Sequence, residues 1–130
     1  GTSLAVTGLL TSSSASAGIG YATGAGTAAT QTTNRSNAVA ANGLSGTITT
    51  NNTSLAADAA ASFTFTNTSV AIGDVVLVSI RSGATTNQTL VYVTAVAAGS
   101  CQLTVHNEHA STAETGAIII NFAVIKAVAA

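Results

Sequence analysis

Residues 116–126, Gly-Ala-Ile-Ile-Ile-Asn-Phe-Ala-Val-Ile-Lys, constrain the fold more than any other stretch. Three consecutive Ile, then an aromatic and a Val-Ile pair, favour a strand over a helix. Side chains alternate faces along a strand. Ile118, Ile120, Phe122 and Val124 therefore share one side, and Ile119, Asn121, Ala123 and Ile125 the other. Both sides are largely apolar, so both call for cover. This is either the central strand of a sandwich, or a strand with a core on one face and a neighbouring subunit on the other. Ile118, Ile120, Phe122 and Val124 are the expected core or subunit-interface set.

Shorter strand signals precede it. Residues 60–67 alternate with Phe63 and Phe65 on one side and Thr64 and Thr66 on the other. Residues 74–81 and 89–96 are rich in Val, Leu and Ile. Residues 101–107 alternate again, with Cys101, Leu103 and Val105 inward. Ala38 to Ala40 and residues 44–49 are shorter apolar pieces. Asn42-Gly43 is a strong hairpin-turn dipeptide. Residues 98–100 read as a tight turn. Recurrent strand signals with turn residues between them, and no convincing helix, predict an all-β fold. The expectation is an antiparallel β-sandwich or jelly roll of about eight strands.

The N-terminal end is different. Residues 1–10 place Leu4 and Val6 in alternation before Leu9 and Leu10, and predict a short strand, a Gly turn and the start of another. Residues 11–18 are a Ser-rich, low-complexity linker. The division expected is a shaft-like or arm segment at 1–17 and a β-sandwich domain at 18–130. Residues 18–26, Gly-Ile-Gly-Tyr-Ala-Thr-Gly-Ala-Gly, read as an irregular loop rather than a phosphate loop, since no strand precedes them and no Lys follows. Tyr21 is expected to pack its ring there and keep its hydroxyl in water.

Chemistry is scarce. Three cationic and four acidic side chains give a net charge of −1, which excludes a basic footprint for nucleic acid. The polar surface must be Ser, Thr, Asn and Gly, which suits an extracellular or permanently assembled part. Ala and Val dominate the apolar residues. Ala buries little area at roughly 25 cal/mol per Å², so an oligomer interface is expected to add to a thin core. One Cys excludes an internal disulfide framework. No apolar run approaches membrane-span length, and no signal peptide is recognised. Without any Met, the chain is expected to be a fragment of a longer protein.

His106, Glu108 and His109 form the one metal-like cluster, but a site wants three or four convergent donors. A solvated loop over 106–114 is the favoured reading, with His106 the weak metal candidate if symmetry copies meet. Glycosidase chemistry needs two facing carboxylates. Asp58, Asp74, Glu108 and Glu114 are the only sources, and Asp58 and Asp74 sit at strand ends where Asp caps turns. The expectation is no enzyme and no cofactor. Cys101 is expected to be an inert core thiol.

Residues 18–26, Thr30-Gln31, residues 44–49, Ala95-Val-Ala-Ala-Gly-Ser100 and Ile120-Asn-Phe-Ala-Val-Ile-Lys-Ala127 resemble a recurrent region of tailed-bacteriophage virion proteins of the tail-fibre, tail-spike or decoration type. The resemblance covers about residues 18–127, and its first and last segments are the most distinctive. Residues 4–12 are similar to repeats of phage fibre shafts. Gly26-Thr27 replaces a usual Gly-Gly pair, and Cys101 stands where a bulky apolar residue is usual. The resemblance implies a homotrimeric, β-rich component on the tail or capsid surface, and no catalytic residues. A distal tail-fibre domain would present loops 82–88 and 107–115 to a bacterial surface glycan. Thr85, Asn87, Gln88, Asn107, Glu108 and His109 would supply hydrogen bonds, and Tyr92 a stacking surface. The alternative is a capsid decoration, cement or head-fibre protein that binds the shell through its N-terminal segment. The partners expected are further copies of the chain, other virion proteins and a surface glycan, with no nucleic acid and no membrane insertion.

Overall fold

The computed structural model describes residues 3–127. The strands are β1 (Gly26–Thr30), β2 (Val39–Ala40), β3 (Ser45–Thr49), β4 (Ala59–Thr66), β5 (Val75–Ser82), β6 (Thr89–Ala97), β7 (Ser100–Asn107) and β8 (Ile119–Ile125). They form two four-stranded sheets, ordered β1-β3-β8-β5 and β2-β4-β7-β6.

The expectation of purely antiparallel pairing is corrected. β1 pairs with β3, and β2 with β4, in parallel, so both sheets are mixed. The reason lies in the connections. The chain passes to the opposite sheet after almost every strand, so β3 returns beside β1 only after β2 has been laid in the other sheet. Such a return by crossover permits parallel pairing, which a hairpin cannot. β6 and β7 are consecutive neighbours in one sheet, joined at Ala98-Gly99, where Gly99 takes φ 77°.

Alternation decides which side of each strand is buried. β4 buries Ala61, Phe63 and Phe65 and exposes Ala60, Ser62, Thr64 and Thr66. β7 buries Cys101, Leu103 and Val105. Ile118, just before β8, and Ile120, Phe122 and Val124 within it, are 3% exposed or less. Phe65 and Phe122 come from different sheets, and their rings meet edge-to-face at 4.8 Å and 61°. The two layers therefore face one another across a common apolar core. Edge-to-face contact of this kind adds about 0.5–1.5 kcal/mol beyond area burial.

The second face of β8 is only partly covered within the described chain. In the outward register Ile125 lies opposite Val75, Ala123 opposite Leu77, and Asn121 opposite Ser79. Val75, Leu77 and Ile125 are each about half exposed.

Three local expectations are revised. Residues 3–10 form no strand: their backbone has no partner among the described residues, and Leu4 and Leu9 are 83% and 88% exposed. Asn42-Gly43 does not turn a hairpin, because it links β2 of one sheet to β3 of the other. Gly43 is instead held by buried Asn67, whose Oδ1 accepts the Gly43 N–H at 3.2 Å and whose Nδ2 donates to the Gly43 carbonyl at 2.7 Å. Tyr21 does not leave its hydroxyl in water. It donates to the Val124 carbonyl and ties residues 19–21 to the outer face of β8.

Candidate functional site

Three connections meet at one end of the domain: 50–58 between β3 and β4, 83–88 between β5 and β6, and 108–118 between β7 and β8. Backbone bonds sew them together. Glu108 N–H donates to the Gln88 carbonyl at 2.9 Å, and Asp58 N–H to the His109 carbonyl at 3.2 Å. Leu55 and Glu114 exchange two bonds, at 2.9 and 2.8 Å.

Below this surface lies a polar core that no local pattern announces. The expected solvated loop over 106–114 is corrected at Glu114, which is 0% exposed. Its carboxylate accepts the Thr85 N–H at 2.9 and 3.0 Å, the Thr86 N–H at 3.1 Å, the Thr89 hydroxyl at 2.7 Å and the Gly116 N–H at 2.7 Å. The Thr85 hydroxyl also donates to it. Burial by itself would raise the carboxyl pKa. The donors from Thr85, Thr89 and Gly116 outweigh burial and hold it down to about 2. Gly83 and Gly116 permit the close approach: a Cβ on Gly116 would stand 1.8 Å from the Gly83 carbonyl oxygen.

Arg35 reaches the same region from the β1–β2 connection. It is 4% exposed, and its guanidinium donates to the carbonyls of Thr53, Glu114 and Gly116 and to the Thr50 hydroxyl. Burial lowers its pKa, and the charge of Glu114 opposes that shift. Asn107, also fully buried, donates from Nδ2 to the carbonyls of Leu55, Ala56 and Thr112. Its Oδ1 accepts the His109 N–H at 3.2 Å. A buried network of this kind is stabilising only when its members are satisfied. Among the described residues no buried side-chain polar atom lacks a partner.

The residues singled out for glycan contact thus divide. The hydrogen-bonding groups of Asn107 are spent inside, and those of Thr85 are spent on Glu114. Asn87, Gln88 and Glu108 are exposed at the rim. His109 is half-buried, and its Nδ1 accepts the N–H groups of Ser111 and Thr112 at 3.2 and 3.0 Å. That assigns the proton of the neutral ring to Nε2, which remains free to donate outward.

Tyr92 lies elsewhere, on the outer face of the β2-β4-β7-β6 sheet, opposite Thr104. Two pairs further along, on the same face, Leu90 lies opposite His106. His106 is on β7 rather than in a loop. Its Nε2 is 3.7 Å from Asp58 Oδ1, and its Nδ1 is 3.9 Å from Glu108 Oε1. The two carboxylates approach opposite sides of the ring, so a single ion cannot use all three. Among the described residues no group of three or more His, Cys, Asp or Glu side chains is placed to hold a metal. Asp58 takes a left-handed φ of 54°, a conformation Asp tolerates better than most residues.

Asp74, Lys126 and Cys101 serve the fold. At the far end of β5, Asp74 pairs with Lys126 and accepts the N–H groups of Ala71 and Ala127. These contacts, with Lys126 first, lower its pKa to about 2. The Cys101 thiol is buried, and burial pushes it up to about 11.

In comparisons with protein-family models, with curated proteins and with solved structures, nothing matches the chain.

Proposed function

We propose that the chain is a structural and recognition domain of a tailed-phage virion, assembled as a homotrimer, whose braced loop end meets a bacterial surface glycan. The observation that carries this reading is the Glu114 network. It supports the three connections from below, so Asn87, Gln88, Glu108 and His109 project from a stiff base. Amide and imidazole groups held in fixed positions, with the Glu108 carboxylate as a further acceptor, suit sugar hydroxyls, because little ordering is left to be done on binding. Tyr92 adds a stacking surface on the adjoining sheet face. The near-absence of charge favours a neutral ligand over an anionic one.

Two finer points belong to the same reading. The passage of successive strands between the sheets is shared with a jelly roll, from which the parallel β1–β3 and β2–β4 pairs depart. The half-exposed apolar face formed by Val75, Leu77 and Ile125 supports a subunit interface. The domain acts by binding, without catalysis or cofactor.

A second reading, capsid decoration, is favoured by a different observation: the exposed N-terminal arm, which has apolar side chains and no charge. The test is binding of the native protein to an array of bacterial surface polysaccharides and, separately, to empty capsid shells. Glycan binding that falls at least tenfold in an Asn87→Ala/Gln88→Ala double variant with unchanged thermal stability supports the first reading. Shell binding without glycan binding supports the second. Shortening of the polysaccharide chains would overturn the non-enzymatic assignment.

A further inference from the structure

We infer that residues 4–10 of one copy occupy the groove on the outer face of β5 and β8 of the neighbouring copy. The inference rests on the homotrimer reading above and names the contact that would hold it. It begins from an unfulfilled signal. Leu4 and Val6 alternate as in a strand and Leu9 and Leu10 follow, yet residues 3–10 find no backbone partner among the described residues of their own chain. Leu4, Val6, Leu9 and Leu10 are 47–88% exposed. A run of apolar side chains in water, on a backbone with unpaired groups, is a segment without its binding site.

The same chain carries a site of matching character. A groove of about 360 Å³ runs between Ile19 and Tyr21 on one side and Leu77, Ala123 and Ile125 on the other. A second depression of about 400 Å³ continues it along the seam of β5 and β8, past Ser79 and Asn121. The floor combines small and apolar residues, with only hydroxyl and amide groups at its polar end. No charged side chain lines either depression.

Three observations favour a second copy as the occupant. The chain has no charged residue before Arg35, so arm and groove are electrostatically neutral to one another, and a charged partner would find no counterpart. Arm and groove occur once each per chain, so a closed ring would fill every groove and cover every arm with nothing left over. The arm also leaves its own groove unfilled: Leu4, Val6, Leu9 and Leu10 stay exposed and none of them lines it. The Ser12 hydroxyl donates to the Ala17 carbonyl at 2.7 Å, and the Ser14 hydroxyl accepts the Ala17 N–H at 3.0 Å. This local turn separates residues 4–10 from Ile19, where the groove begins.

The experiment measures molar mass in solution by light scattering for the full chain, for a chain lacking residues 3–10, and for Leu77→Asp, with circular dichroism to establish that each is folded. Leu9→Cys and Leu77→Cys proteins, mixed under mild oxidation, report the contact directly. Buried Cys101 remains in place, and each single variant alone serves as control. The expected results are three times the 12.6 kDa chain mass for the full chain, a single-chain mass for both altered chains, and a disulfide joining two different chains in the mixture. A trimer that survives loss of residues 3–10 overturns this inference and leaves the homotrimer standing. A monomeric full chain overturns both. A Leu9→Cys/Leu77→Cys double variant that closes within one chain overturns the exchange and makes the arm its own cover.

Discussion

The Thr89 hydroxyl donates to Oε2 of Glu114 at 2.7 Å, joining residues 25 apart in sequence. Thr89 opens β6 in one sheet, and Glu114 lies in the connection that leads to β8 in the other. The bond is one of a ring of donors around a single carboxylate. Glu114→Gln keeps the size but replaces one acceptor oxygen by an NH₂ group that must face donors. The expected loss is about 2–4 kcal/mol, as for other buried charged groups deprived of their hydrogen bonds. Urea denaturation of the two proteins measures it, with the midpoint lowered at constant slope.

Acid should weaken the fold through the same group. In the folded protein Glu114 titrates at about 2 against an ordinary 4.5, and Asp74 at about 2 against 3.8. The unfolded chain therefore takes up protons first as pH falls. The stabilisation is complete above about pH 4.5 and is lost as pH falls towards about 2. For Glu114 the displacement corresponds to about 3 kcal/mol. Thermal melts from pH 7 to 2 should show a flat region and then a decline, and Glu114→Gln should flatten that decline.

Asn107 and Asn87 should respond differently to the same change. Asn107→Ala removes a fully buried amide that bonds three carbonyls, and should cost about 2–4 kcal/mol. Asn87→Ala at the exposed rim should stay within about 0.5 kcal/mol of the parent. Differential scanning calorimetry separates the two. Equal losses would show that the rim is part of the network and not a free surface.

Cys101 should be silent to thiol reagents. It is 3% exposed, and burial raises its thiol to about 11, so little thiolate exists at pH 8. A chromogenic disulfide reagent should label the native protein slowly and the urea-unfolded protein at once, with one equivalent released. Rapid labelling of the native protein would mean that β7 opens locally.

Where one face is apolar and the other polar, alternation was enough to read the strand: β4 and β7 followed it, including the inward placement of Phe63, Phe65 and Leu103. β8 was legible from its β-branched apolar run, with Phe122 inward. β1 was missed because Gly-Thr-Ala-Ala-Thr has no amphipathic contrast, and its partner β3 alone makes it a strand. Residues 4–10 failed in the opposite sense: the side-chain pattern is present, but backbone hydrogen-bond partners among the described residues are not. Asn42-Gly43 carries a local hairpin preference that a crossover between sheets overrides. The position of the rim was legible, because long polar connections between strong strands are visible in sequence. Its brace was not. The donors to Glu114 come chiefly from Thr85, Thr86 and Thr89, and no spacing rule links an acidic residue to threonines more than twenty positions away.

β8 is the last of the described strands in chain order, yet it occupies the interior of its sheet, between β3 and β5. During synthesis, β1 with β3 and, separately, β5 must wait for it with open edges on either side. Closure of that sheet is therefore a late, all-or-none event governed by seven residues. A nascent chain stalled before Ile119 would carry the β1–β3 pair and the lone strand β5 unjoined, each offering an edge for pairing with another chain.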